Sequence, residues 1–266
     1  MNNFIKYWSY LVENEDKEES FETFLKKESN LIEAKTITIG GKDFKVEDGN
    51  IDCSENQLTS LEGSPQKVGR SFDCSFNKLT SLAGAPKEVN GYFDCSDNKL
   101  TSLVTAPQKI GGWFDCEGNK LTSLKDAPQN IGGSFGCAYN QITSLEGAPQ
   151  KVNGDFVCSG NKLVSLKGAP REVKRHFSCL HNQLTSLVGA PQIVGGDFDC
   201  EENQLTSLKG APMKIGGNID FSRNNDLPEY KVDAYKAYLK LSDSEKAPLT
   251  KDNHYFPTEE WENKFK

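Results

Sequence analysis

Phe72-Asp73-Cys74-Ser75-Phe76-Asn77-Lys78-Leu79-Thr80-Ser81-Leu82-Ala83-Gly84-Ala85-Pro86-Lys87-Glu88-Val89-Asn90-Gly91-Tyr92 is one copy of a unit that recurs along the chain. The eight cysteines mark its period: Cys53, Cys74, Cys95, Cys116, Cys137, Cys158, Cys179 and Cys200 are each 21 residues apart. Disulfide frameworks and C-x-x-C zinc pairs are not spaced this way. A fixed interval of this length means a repeat architecture. Eight full units fill 51–218, and a ninth starts at Ile219, with Phe221 in the cysteine slot, and breaks down after Asn224.

Each position in the unit has a physical reading. Phe and Cys stand two apart, as on the buried face of a short strand. Phe72, Phe93, Phe114, Phe135, Phe156, Phe177 and Phe198 should stack as a core ladder, with Ile51 and Ile219 at its ends. The cysteines should lie beside them as small buried hydrophobes. The Asn column runs unbroken from Asn56 to Asn224. A buried amide there would satisfy backbone groups where the chain leaves the strand. Leu79 and Leu82 extend the core, Gly84-Ala85-Pro86 turns the chain on the convex side, and Val89 returns it. Glycine permits positive φ and proline sets φ, so a turn is expected there rather than a long helix.

Phe-x-Cys-x-x-Asn-x-Leu resembles the L-x-L-x-x-N-x-L core of the leucine-rich repeat family, with Phe and Cys in place of the strand leucines. The short unit is similar to the bacterial type found in secreted effectors of Gram-negative pathogens. It resembles more closely the Leu-Thr-Ser-Leu-x-Gly-Ala-Pro repeats of bacteriophage and bacterial proteins. The resemblance implies a β-rich solenoid with one short parallel strand per 21-residue turn, no full convex helices, and a protein-binding role. The effectors' L-P-x-L-P run is missing. Their ubiquitin-ligase activity does not carry over, since it needs a cysteine outside the repeats and every Cys here is inside the ladder.

A solenoid needs capped ends. The sequence divides into an N-terminal helical and β-hairpin cap (1–50), the solenoid (51–224) and a C-terminal helical cap (225–266). Phe4, Ile5, Trp8, Leu11 and Val12 have helical spacing, and Phe21, Phe24 and Leu25 suggest a second helix. Thr36 to Val46 reads as a hairpin about Gly40-Gly41. Pro228 opens a helix to about Leu241 that turns Tyr235, Tyr238, Leu239 and Leu241 to the last repeat, and Thr258 to Phe265 suggests a final short helix anchored by Trp261.

Charge excludes several functions. The chain carries 31 basic and 38 acidic side chains, with the net −7 spread over cap, repeats and cap, so no segment has the basic excess that nucleic acid or an anionic membrane requires. No stretch approaches a membrane span of roughly 18 apolar residues. Met1 to Leu11 is too polar for a secretory segment. A cytoplasmic location with reduced cysteines is expected.

Positions that vary between units should face outward. Before Phe they run Asn50, Ser71, Tyr92, Trp113, Ser134, Asp155, His176, Asp197, Asn218. Between Phe and Cys they open with Asp52, Asp73, Asp94 and Asp115. Two after Cys come Phe76 and Tyr139, among others. The Asp column reads as a solvated acidic face helped by Ser75 and Ser96, as a dock for Lys or Arg, or as a Ca2+ site. Tyr92 and Trp113, with Phe76 and Tyr139 nearby, have the composition of an interface hot spot. His176 sits between Asp155 and Asp197, which should favour its charged form. No nucleophile stands beside it, and no phosphate loop or H-E-x-x-H element occurs.

The expectation is a non-enzymatic scaffold, without cofactor or metal, monomeric or weakly oligomeric. It would bind a partner protein with a basic patch, as a phage or bacterial inhibitor of a host or defence protein. The alternatives are a structural or virion component, or an enzyme with its site in the caps near Asp252 and His254.

Overall fold

The structure is a computed structural model that describes residues 35–242 together with Lys246. Its core is a stack of 21-residue coils whose strands, together with an N-terminal hairpin, form an 11-stranded sheet. Strands β1 (Lys35–Ile39) and β2 (Lys42–Glu47) form the expected hairpin, with Gly40 and Gly41 at φ 58° and 80°. Val46 of β2 pairs antiparallel with Ile51, and from there each coil adds a short strand in parallel register, Phe on Phe. The hairpin occupies what would otherwise be an open sheet edge ahead of the first coil.

The core follows the columns. Phe72 to Phe198 are fully buried, and neighbouring rings stack at 5.4 to 6.0 Å. All eight cysteines are buried free thiols. Cys74 Sγ donates to Asp94 O one coil on, at 3.1 Å. Burial pushes the Cys53 thiol up to about 12 and the others up as well where a shift is resolved, so these are neutral packing groups.

Asn77 shows why asparagine recurs. Its Nδ2 donates to Cys53 O, Cys74 O and Ser75 O at 2.9, 3.0 and 3.0 Å, and its Oδ1 accepts from Leu58 N at 2.7 Å. One amide thus ties two coils together at the strand exit. Glycine in the Gly-Ala-Pro element is equally constrained. Gly84 has φ +87°, and a Cβ there would stand 2.7 Å from Leu61 O.

The convex side holds more than the expected turn. Each coil has a second two-residue strand, such as Lys67–Val68 or Glu88–Val89. These make two parallel four-stranded sheets, one ending at Asn130–Ile131 and the other starting at Lys151–Val152. The core changes at the same place: ring planes differ by 25° at Phe114–Phe135 and 15° at Phe135–Phe156, against 6° in both flanking pairs. A local change of twist therefore crosses the molecule near Phe135.

At the far end, α1 (Glu229–Leu239) covers the last coil, with Pro228 as its N-cap residue rather than inside its first turn. Tyr235 and Tyr238 are buried, and Leu239 and Leu241 pack at the core margin. Tyr235 Oη donates to Pro212 O at 2.7 Å, and its ring lies 5.9 Å from Phe221, which closes the Phe ladder. The helices expected in 1–32 and in 258–265, with Asp252 and His254, lie outside the described residues. No helix of the described residues is long and apolar enough to cross a membrane.

Candidate protein-binding face

The column before Phe turns out to be a capping ladder. Parallel strands this short leave a backbone N–H at the strand entrance, and the side chain one coil earlier accepts it. Asn50 Oδ1 takes Ser71 N, Ser71 Oγ takes Tyr92 N, and Ser134 Oγ takes Asp155 N, at 3.2, 3.2 and 2.9 Å. Asp155 Oδ1, His176 Nδ1 and Asp197 Oδ1 then take His176 N, Asp197 N and Asn218 N, at 3.0, 3.0 and 2.6 Å. Serine, aspartate and histidine recur there because each offers an acceptor at one reach.

Tyr92 and Trp113 interrupt this ladder. Neither side chain carries an acceptor at that short reach, and among the described residues nothing takes the N–H of Trp113 or Ser134. Instead the two rings stack at 4.3 Å between centroids and within 3° of parallel, half-buried. Phe76 and Tyr139 do not join them: among the described residues neither makes a ring contact with the pair. They stand at the strand exit with φ 52° and 48°, and are 57% and 59% exposed. That backbone position is left-handed in every coil, whichever residue occupies it.

The Asp column also has a local job. Asp52, Asp73 and Asp94 each accept two bonds through Oδ1, from the backbone N–H and the hydroxyl of Ser54, Ser75 and Ser96. Asp115 accepts only one, from Glu117 N at 2.8 Å, because glutamate replaces the serine. Burial raises the Asp94 and Glu117 carboxyls, and raises Asp115 to about 7; neighbouring Asp94, Asp97 and Glu117 add to the Asp115 shift, against the bond from Glu117 N–H. Tyr92 is raised too, by burial first and then by Asp73, Asp52 and Asp94.

Several acids elsewhere on the surface have cationic partners. Glu88 pairs with Lys67 at 3.0 Å, Glu146 with Lys167 at 3.0 Å, Asp155 with Arg175 at 3.7 Å, and Glu201 with Arg223 at 3.3 Å. Among the described residues no Lys or Arg pairs with Asp94, Asp97, Asp115 or Glu117. Sequence reasoning singled out Asp94 and Asp115, placed Asp97 in an outward column without a role, and passed over Glu117. Ser134 and Gly136 were outward positions without an assigned role; their small size shapes the adjoining coil. No group of three or more His, Cys, Asp or Glu among the described residues could hold a metal ion.

His176 stands between Asp155 and Asp197 in its column. Asp155 is committed to the His176 backbone N–H. Asp197 Oδ2 lies 3.1 Å from Nδ1, but the same nitrogen accepts Asp197 N. Asp155, His176 and Asp197 share the column of Tyr92 and Trp113 but stand two to five coils from them.

The Asp115 shift has a measurable consequence. The unfolded carboxyl titrates near 3.9, the folded one at about 7. Between those values the native state holds the extra proton, so stability present below about pH 4 is lost as pH rises through about 7. Asp115→Asn keeps the acceptor for Glu117 N–H and removes the charge. It should raise urea-unfolding stability at pH 8 by on the order of 2 kcal/mol, after allowance for solvent relaxation, and much less at pH 4. Equal stability of the two proteins at pH 8 would refute this.

These features define the class of molecule: a parallel β-solenoid of 21-residue coils, consistent with a leucine-rich-type repeat, that carries an aromatic pair beside unpaired acids. Compared with protein families, curated proteins and solved structures, the chain has no match.

Proposed function

We propose that the protein is a non-enzymatic binding scaffold whose strand face engages a partner protein bearing a basic patch. The broken capping ladder carries this reading. Serine at 92 and 113 would satisfy the backbone; tyrosine and tryptophan forgo two hydrogen bonds and leave two large rings half-exposed. Folding alone does not ask for that choice, whereas Tyr and Trp dominate interface hot spots. Acids without internal cations supply the complementary charge, and a rigid solenoid lowers the ordering cost of association.

The resemblance of the Leu-Thr-Ser-Leu-x-Gly-Ala-Pro units supports a finer version: a repeat of the bacterial and bacteriophage type, acting in the cytoplasm as an inhibitor of a host or defence protein. Such a protein would work by occlusion, with no cofactor, metal, nucleic acid or membrane involved.

The test is a pull-down from bacterial lysate with wild type and a Tyr92→Ser/Trp113→Ser protein. Serine restores the acceptor found at Ser71 and Ser134, so stability should change by no more than about 1 kcal/mol. The captured partner should fall at least about tenfold. Undiminished capture by the double variant would show that this face is not the binding face.

A further inference from the structure

The aromatic pair has two outer faces, and its surroundings treat them differently. The rings stack along the solenoid axis, so Tyr92 turns its second face towards Ser71 and Trp113 turns its second face towards Ser134. Ser71 Oγ accepts the Tyr92 backbone N–H and so leans towards the pair. Ser134 leans in the same direction along the solenoid and therefore away from Trp113. Its Oγ accepts Asp155 N at 2.9 Å and lies 3.4 Å from Asp155 Oδ2. A planar group can therefore approach the Trp113 face above Ser134.

A carboxylate reaches the same place. Gly136 follows Ser134 by two residues on the same outward face, and its missing side chain leaves a hollow. Asp115 leans into it: a Cβ on Gly136 would stand 2.7 Å from Asp115 Oδ1 and 3.1 Å from Oδ2. The Trp113 face and the Asp115 carboxylate thus overlie neighbouring positions of one strand, about 7 Å apart along it. Among the described residues no hydrogen bond reaches Asp115 Oδ2, and Oδ1 accepts only Glu117 N. Spare acceptor capacity and an uncovered indole face converge over two small residues.

We propose that the Trp113 indole and the Asp115 carboxylate form a seat, floored by Ser134 and Gly136, for an arginine side chain of the partner protein. This rests on the binding role proposed above and names the chemistry recognised there. A guanidinium is flat enough to stack on the indole while its N–H edge forks onto the carboxylate. Lysine supplies a point charge and cannot do both. A neutral ligand such as a sugar would leave the charge of Asp94, Asp97, Asp115 and Glu117 uncompensated, whereas a guanidinium supplies the opposite charge. The raised Asp115 pKa agrees with a carboxylate that lacks its partner. Arginine also explains why the small residues fall at this coil: a side chain at 136, or a larger one at 134, would fill the space the guanidinium needs.

The probes are hexa-arginine, hexa-lysine and hexa-citrulline peptides, titrated into the full chain at pH 8 with tryptophan fluorescence and calorimetry as readouts. Hexa-arginine should bind about tenfold more tightly than hexa-lysine, and hexa-citrulline should not bind. Ser134→Tyr lays a ring on the free Trp113 face, closing the seat while Trp113 and Asp115 stay in place. It should weaken hexa-arginine about tenfold, as should Asp115→Asn, with unchanged circular dichroism confirming that both variants fold. Equal affinity for hexa-arginine and hexa-lysine, or full affinity in folded Ser134→Tyr, would overturn the seat. The two proposals fail separately. A partner lost by Tyr92→Ser/Trp113→Ser but retained by Ser134→Tyr and Asp115→Asn leaves the binding face standing and removes the arginine. A partner retained by the double variant removes both.

Discussion

Replacing Asn119 with alanine should cost about 3–5 kcal/mol, the largest effect of any polar substitution expected in this chain. Asn119 Nδ2 donates to Cys95 O, Cys116 O and Glu117 O at 3.0, 3.1 and 3.1 Å, and its Oδ1 accepts Leu100 N at 2.9 Å. Alanine would leave several of these groups buried and unmatched. Each costs about 1–3 kcal/mol when its partner is removed without replacement. Asn119→Asp should be similarly harmful, because a carboxylate keeps the acceptor and loses all three donations. Lys120→Ala is the control: it changes an exposed neighbour and should fall within about 0.5 kcal/mol. Urea unfolding followed by circular dichroism measures all three. An Asn119→Ala protein within 1 kcal/mol of wild type would mean that water replaces the amide, contrary to its burial.

Phe135→Ala should destabilise by a similar amount, about 3–5 kcal/mol, and should also alter cooperativity. Phe135 is fully buried between Phe114 at 5.5 Å and Phe156 at 5.4 Å. A solenoid is held by nearest-neighbour interfaces, so one missing ring weakens two of them at once. The site is also where the convex strands divide into two sheets, which leaves fewer compensating hydrogen bonds. Unfolding should then split into two transitions, with the coils before and after Phe135 melting separately. Hydrogen exchange resolved by peptide is the measurement. Uniform loss of protection along the whole solenoid would show that the two halves remain coupled through other contacts.

Much of this architecture is legible in one column of cysteines. A 21-residue interval leaves each coil the same length of chain, and the apolar positions Phe, Cys, Leu, Leu and Val within it can be buried together in one way. The Asn role was legible for the same reason: an amide recurring at a strand exit has backbone to satisfy. The hairpin at Gly40-Gly41 and the helix carrying Tyr235 and Tyr238 followed from local spacing.

The candidate face was legible only as a list of variable positions. Tyr92 and Trp113 are conspicuous in a column of small polar residues, but their neighbours' purpose is not. Asp155, His176 and Asp197 look like a charged surface when read as letters. In the folded chain each one accepts a backbone N–H from the next coil, a contact 21 residues away that spacing cannot orient. The second strand per coil was missed because two residues are too few to show alternation.

Periodicity settles what must be buried, since burial follows from hydrophobicity and repeat length alone. It therefore accounts for the solenoid, its Phe and Cys ladders and its need for caps. It does not say which way a side chain leans. Folding made that choice at Gly136 and Ser134: the missing Cβ draws the Asp115 carboxylate one coil along, and the Asp155 N–H draws the serine hydroxyl off the indole. Both depend on contacts between successive coils, which exist only once the coils are stacked.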